Sequence, residues 1–375
     1  MPTHRSPTHR SARLTLRTLH KYSGLLLGAL LTLIGLSGSL LVFDHALDER
    51  LTPELRSLSH HSGATLQQVL DQAVQAAPTD TRATRIDLAR QPGSPHTVRF
   101  DCHPPRDCLL EVSVDPATGR VLTQREWGQY PVSWLYRLHY TLLAGNTGKT
   151  LVGCLGIGLL FFLGSGLYLW WPRRTTIRNG LRIRRRPTIR FLRELHQVIG
   201  VISVPLLLVS ALTGITLVFY SQVQAGISSV TPVVSKPSFS VHPQGQHLPL
   251  DRLVEAAQAA YPNGTLKRVF LPRHSTSPLQ VRFNLPSESW SNHGASVVWV
   301  NPYDALVLGT WDAGNLPLGN TLLTWAFPLH NADALGLAGR VLWLSGGLLP
   351  GVLFMAGLLH WRQKARAVPR RRKSW

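Results

Sequence analysis

Histidine is the residue type with chemical potential in this chain of 375 residues, and four of its 16 histidines recur in matched settings. His20 and His196 each follow a Leu at the start of a long apolar run, and His139 and His330 each follow a Leu shortly before another. Leu19-His20, Gly24, Gly38 and Leu41-Val42-Phe43 match Leu195-His196, Gly200, Gly214 and Leu217-Val218-Phe219, always 176 positions apart. Trp134, His139, Gly148, Gly166 and Trp170 match Trp325, His330, Gly339, Gly357 and Trp361 at a spacing of 191. Strongly polar groups near membrane depth are costly and tend to be functional. A two-fold relation between two copies sets equivalent residues across the axis, so His20 can face His196 and His139 can face His330. Two opposed imidazoles are what a six-coordinate haem iron requires. Two such pairs, one near each membrane face, predict two b-type haems and an electron path through the bilayer.

Four apolar runs must position these histidines: Gly24–Phe43, Leu151–Trp171, Ile199–Tyr220 and Val341–Leu359. Each is close to the ~20 residues that cross a hydrocarbon core as a helix. The first is read as a permanent anchor, because Phe43-Asp44-His45-Ala46 makes a poor cleavage site and the run has an internal counterpart. The fold class is therefore membrane α-helical, with four transmembrane helices in two parallel helix–domain–helix repeats. Between the helices lie two α+β segments. Leu66 to Pro78 and Leu250 to Pro262 read as amphipathic helices, and Thr97–Asp101, Leu109–Val114, Leu279–Asn284 and Ser296–Val300 as strands. Asp115-Pro-Ala-Thr-Gly119 and Asn301-Pro-Tyr-Asp-Ala305 read as turns. The repeated glycines Gly24/Gly200 and Gly38/Gly214 suit close helix packing or clearance for a cofactor.

Charge sets the orientation. The formal net charge of +20 is carried by 5 Lys/Arg in residues 1–21, 9 in 172–194 and 7 in 362–375, with Glu194 the one acid among them. All three stretches abut apolar runs, the pattern of cytoplasmic loops. The predicted layout is a basic arm over 1–19, spans over 20–43 and 195–220, an outer histidine segment followed by a span over 139–172 and again over 330–361, an Arg-rich loop over 173–194 and a basic tail over 362–375. Segments 44–138 and 221–329 face the outside, and both termini face the cytoplasm. Nucleic acid is an unsuitable partner, since the basic residues border membrane spans instead of interleaving with aromatics on a folded face. Arg184, Arg185 and Arg186 suit anionic lipid headgroups. Trp170, Trp171 and Trp361 suit an interfacial aromatic belt.

Cys102 and Cys108 could form a disulfide on the oxidising side of the membrane, although spacing does not establish it; Cys154 reads as apolar packing. His45 and His360 are spare ligands or interface residues. His103, His242, His247, His274 and His293, with His60 and His61, read mostly as solvent-facing, and His4 and His9 as part of a disordered arm. No G-x-G-x-x-G follows a predicted strand, so an electron donor has to be a separate molecule.

The repeated Leu-His-x-x-x-Gly at 19–24 and 195–200, Leu-His at 138–139 and 329–330, and the span closing in Gly166-Leu-Tyr-Leu-Trp-Trp-Pro-Arg-Arg174 resemble the PepSY-associated transmembrane family of iron-regulated bacterial membrane proteins. The resemblance runs from about residue 14 to 366. It implies PepSY-like outer domains, residence in the bacterial inner membrane and a part in iron uptake, since some members are ferric siderophore reductases carrying two haems. Carried over, it implies His20, His139, His196 and His330 as haem ligands. A ferric chelate or siderophore would be the substrate, and a quinol or a cytoplasmic reductase the donor. The second turn, Asn301-Pro-Tyr-Asp, departs from the Asp-Pro-x-Thr-Gly of the first. Two other readings stand beside the reductase: a non-catalytic anchor whose PepSY-like domains bind peptides or regulate a protease, and a permease for iron or a siderophore. Four helices are few for a transport path, and the spans lack acidic residues to guide a cation.

Overall fold

The computed structural model describes residues 7–56, 63–104, 108–171, 177–288 and 293–367. His4, His60, His61, Arg173, Arg174 and the tail from 368 lie outside the described residues. The first half of the chain runs α1 (Pro7–Leu41), α2 (Asp44–Leu51), α3 (Leu66–Ala76), β1 (Thr81–Asp87), β2 (His96–Cys102), β3 (Leu109–Val114), β4 (Val121–Glu126), α4 (Pro131–Thr141) and α5 (Gly145–Trp170). A short α6 (Ile177–Gly180) leads to the second half. There the same order returns as α7 (Thr188–Val218), α8 (Tyr220–Ser228), α9 (Leu250–Ala260), β5 (Thr265–Phe270), β6 (Leu279–Asn284), β7 (Ser296–Val300), β8 (Val307–Trp311), α10 (Leu318–His330) and α11 (Gly336–Ala367).

Four helical stretches are long and apolar enough to cross a membrane: Ser11–Leu41, Gly145–Trp170, Thr188–Val218 and Asp333–Arg366. In a bilayer the backbone must satisfy its own hydrogen bonds, and a helix does so within one segment. The chain is a multi-pass membrane protein. Helix α1 is already formed at Pro7, inside the arm expected to be disordered, because Ser-Ala-Arg-Leu-Thr-Leu-Arg carries no residue that breaks a helix.

The helices pack across the two halves, α1 on α11 and α5 on α7. Small residues allow this approach. A Cβ on Gly35 would run into the carbonyl oxygen of Gly347, and one on Gly347 into that of Gly35. Ser39 Oγ adds a hydrogen bond to the Leu344 carbonyl at 2.8 Å. Arg13 donates to the Leu169 carbonyl at 2.7 Å, so the start of α1 and the end of α5 lie together. This end of the bundle carries the basic stretches.

At the other end the two α+β segments share one antiparallel sheet of eight strands, in the order β4-β3-β2-β1-β5-β6-β7-β8. The halves meet where β1 pairs with β5. Arg85 lies opposite Phe270, Ile86 opposite Val269 and Asp87 opposite Arg268. Each half brings an irregularity at the same place, between Ala83 and Arg85 and between Leu266 and Arg268. Helices α3 and α9 cover one face. Val69 and Ala73 of α3 and Leu253 and Ala257 of α9 bury Ile86, Val98, Phe100, Val269, Val281 and Phe283. Side chains alternate between faces along a strand, so Arg99, between Val98 and Phe100, projects from the opposite face, toward the membrane helices. The two covering helices cap one another. Asp251 accepts from the amides of Leu66 and Gln67 at 2.8 and 3.1 Å, and Gln67 accepts from the amide of Leu250 at 2.8 Å.

Both turns form. Asp115 accepts from Ala117 N and Thr118 Oγ1, and Gly119 takes φ +72°. Asn301 accepts from Tyr303 N, and Ala305 takes φ +62° where the first turn has its glycine. The altered second motif therefore keeps the same left-handed corner, now on an alanine. Cys102 and Cys108 form a disulfide, with Cα atoms 5.2 Å apart. Cys154 is exposed on the outer surface of α5, so it faces the bilayer and is not packed inside the protein as expected.

Candidate functional site

Each of the four paired histidines packs against a glycine on another helix. The ring of His139, on α4, lies over Gly38 of α1, where an added Cβ would stand 2.7 Å from Cε1. His330, at the end of α10, lies over Gly214 of α7, with the corresponding distance 3.2 Å. His20 of α1 lies over Gly166 of α5 at 3.4 Å, and His196 of α7 over Gly357 of α11 at 3.6 Å. The two glycine pairs are repeat-matched, as are the two histidine pairs they accommodate.

The rings then meet across the halves. The centroids of His20 and His196 are 6.3 Å apart, and those of His139 and His330 are 6.1 Å apart. Gly38 follows His20 by 18 residues on α1, so the two pairs are separated by about 27 Å along that helix. That is close to the ~30 Å hydrocarbon thickness and puts one pair near each face.

Hydrogen bonding assigns the ring nitrogens. Ser165 Oγ spends its proton on the Phe161 carbonyl at 2.6 Å, so it accepts from His20 Nδ1 at 2.7 Å. Thr213 Oγ1 donates to the Val209 carbonyl at 2.7 Å and accepts from His330 Nδ1 at 3.0 Å. His139 Nδ1 donates to the Ile34 carbonyl at 3.0 Å, with Ser37 Oγ at 3.2 Å. His196 Nδ1 donates to the Leu353 carbonyl at 2.9 Å. All four rings are thereby Nδ1–H tautomers with a lone pair on Nε2. Among the described residues no hydrogen bond reaches any of these Nε2 atoms. A ligating histidine is built this way, with its second nitrogen held by the protein.

An imidazole nitrogen sits about 2 Å from the metal it ligates, which sets the centroids of two trans rings on one iron about 6 Å apart. Both observed pairs have that spacing. No group of three His, Cys, Asp or Glu side chains comes together among the described residues. Each pair thus offers two protein ligands, too few for a structural zinc. Two imidazoles per pair would be able to hold the iron of a haem, which needs only two ligands from the protein.

Comparison with protein families returns the PepSY-associated TM region, matched over residues 17–364. The chain belongs to this family. No curated protein matches it. The family match covers both histidine pairs, the whole sheet and all of the four spans but the first residues of one and the last of another.

The other expected residues fall elsewhere. His45 stands beside Asp44 at 3.4 Å, with half of its side chain exposed. His360 donates to the Ile189 carbonyl at 3.1 Å at the basic end. Neither joins a pair. His293 is not solvent-facing as expected. Its side chain is 18 % exposed, held 3.4 Å from Asp333 and edge-on to Phe327, because the return of the chain into α10 and α11 closes over it. His96, unremarked in the sequence, is buried and accepts from the Ala89 amide at 2.8 Å. His139 and His330 sit on the short helices α4 and α10 that precede the spans. Left-handed Leu142 and Leu143 break the first junction, and Ala332 and Gly336 the second.

A cavity of about 710 Å³ lies between the sheet-side ends of the helices and the free face of the sheet. Tyr136 and Phe327 line it, each one turn before a histidine of the His139–His330 pair. Arg99, Arg268 and Arg282 line it from the sheet. These arginines escaped the sequence reading. The matched triplets Val98-Arg99-Phe100 and Val281-Arg282-Phe283 carried the signal.

Proposed function

We propose that this protein is a bacterial inner-membrane electron carrier with two haems, which reduces a ferric siderophore or another ferric chelate on the periplasmic side during iron uptake. The observation that carries the reading is the pair of opposed imidazole sets, each with Nδ1 tied to the protein and Nε2 free, at the spacing one iron between them needs. His20 and His196 would hold the haem on the basic, cytoplasmic side, and His139 and His330 the haem beneath the sheet.

A bound haem supplies a one-electron centre in a medium that otherwise conducts no charge. The chain's own residues do the rest. The helix carbonyls and hydroxyls on Nδ1 fix ring orientation and keep the ligands basic. The glycines beneath the rings let the helices close around a flat group. The electron comes from a separate quinol or cytoplasmic reductase, and one electron converts Fe(III) to Fe(II) in the outer chelate. The softer, less charged ion is held more weakly by hard oxygen donors, so iron is released for import.

A reduced-minus-oxidised visible spectrum of the detergent-solubilised protein tests this directly. A bis-imidazole haem b spectrum with two haems per chain is expected. His139→Ala should remove the outer haem and leave the inner one. Protein that never acquires Soret absorbance, expressed with haem in excess, would sink the proposal.

A further inference from the structure

The two halves of the sheet carry the same pair of arginines, and only one half neutralises them. In the first half Arg85 lies directly opposite Arg99, and in the second Arg268 lies directly opposite Arg282. Like charges facing each other across strands are destabilising, so each pair calls for an anion. The first half supplies two. Asp87 bonds Arg85 and Arg99, both at 2.9 Å, and Glu111, opposite Arg99 on β3, bonds it at 2.9 Å. In the second half the equivalent positions are Phe270 and Val297. Arg268 borrows Asp87 from across the central seam at 2.8 Å. That leaves Arg282 with the face of Phe270 at 4.6 Å and no carboxylate among the described residues. Its Nε is buried without a hydrogen-bond partner.

Arg282 faces the 710 Å³ cavity, and Lys236 and Arg90 line the same space. Lys236 has no carboxylate within salt-bridge distance among the described residues. Among the described residues Arg90 donates only to His293 Nε2, at 2.9 Å. The cavity's acids are largely committed: Asp48 to Arg125 at 2.8 Å and Asp44 to the Tyr136 hydroxyl at 2.8 Å. A cavity with spare cations on several walls, next to the outer histidine pair, is built for a multiply charged anion with oxygen acceptors.

We infer that this cavity binds a ferric chelate carrying net negative charge, of the carboxylate or catecholate class, whose anionic oxygens pair with Arg282 in place of the carboxylate the second half lacks. The inference rests on the reductase reading for the identity of the ligand as substrate. The arginine asymmetry itself is independent of haem. A neutral hydroxamate chelate would leave Arg282 unpaired beneath it, and a charge covered without a partner opposes binding.

The test is calorimetric titration of the full-length protein with gallium(III)–citrate, which is anionic and cannot be reduced, against the neutral gallium(III) tris-acetohydroxamate complex. The expected result is binding of the citrate complex at least about tenfold tighter, as one or two charge-assisted hydrogen bonds imply. Arg282→Gln should cost about tenfold in citrate-complex affinity. Phe270→Asp, which recreates the first half's arrangement, should do the same while the thermal transition stays or rises. Equal affinity for the two complexes, or citrate-complex binding unchanged in both variants, would overturn the inference. Citrate-complex binding by protein that never acquires haem, even when expressed with haem in excess, would support the anion site while the redox reading failed.

Discussion

At the residue scale the proposed ligand sets depend on acceptors that are not ligands. The Ser165 hydroxyl accepts from His20 Nδ1, so Ser165→Ala strips that ring of the bond that orients it. Loss of such an outer partner costs about 10- to 100-fold in metal affinity. The expected outcome is weaker retention of the inner haem and a more positive midpoint potential for it, read by redox titration, with the outer haem unchanged. Lys236 gives a pH dependence. The residue stands at the cavity rim, and desolvation of its ammonium, then Arg282, pull its pKa down to about 8. A lowered amine pKa means charge is lost early as pH rises. Affinity for anionic gallium(III)–citrate is therefore expected to fall between pH 7 and pH 9, and Lys236→Gln should flatten that fall.

At the element scale the junctions between short and long helices hold the outer histidines in place. Asp333, at the break between α10 and α11, is 4 % exposed. It accepts from Arg340 at 2.6 Å and from Asn331 at 2.7 Å, and stands 3.4 Å from His293. One carboxylate thereby ties the start of α11 to the loop that precedes β7. Asp333→Asn leaves Arg340 without its partner, a change that costs about 3 kcal/mol for a largely buried pair. The thermal transition should drop by several degrees. Because His330 lies three residues away, the same variant should broaden the spectrum of the outer haem and spare the inner. The junction was only partly legible in sequence. The span was visible as an apolar run, but left-handed Leu142 and Leu143 carry no sequence mark, since such a conformation is ordinarily a glycine's.

At the scale of the whole molecule every shared feature crosses the repeat. Each histidine pair takes one ring from each half, the sheet closes only when β1 meets β5, and α1 packs on α11. Residues 1–180 and 181–375 expressed separately are therefore expected to hold no bis-imidazole haem, while their co-expression restores both. A half-chain that yields the full spectrum alone would refute cross-repeat pairing.

The sequence by itself determined the four spans, the segregation of positive charge and the matched histidines. These are local or periodic properties, and a bilayer leaves an apolar run little choice but a helix. The strands Thr97–Asp101, Leu109–Val114, Leu279–Asn284 and Ser296–Val300 were legible for a similar reason, because one face of each is buried and the alternation shows. Only the tertiary structure decided that the outer segments form one sheet. The seam strands β1 and β5 carry three and two charged residues and look like surface until their partners are known. Tertiary structure also decided that Arg282 has no carboxylate partner among the described residues, since the positions that would supply one, Phe270 and Val297, lie on other strands. Cross-strand neighbours are set by register between distant segments, and a charge is matched or unmatched only after that register is fixed.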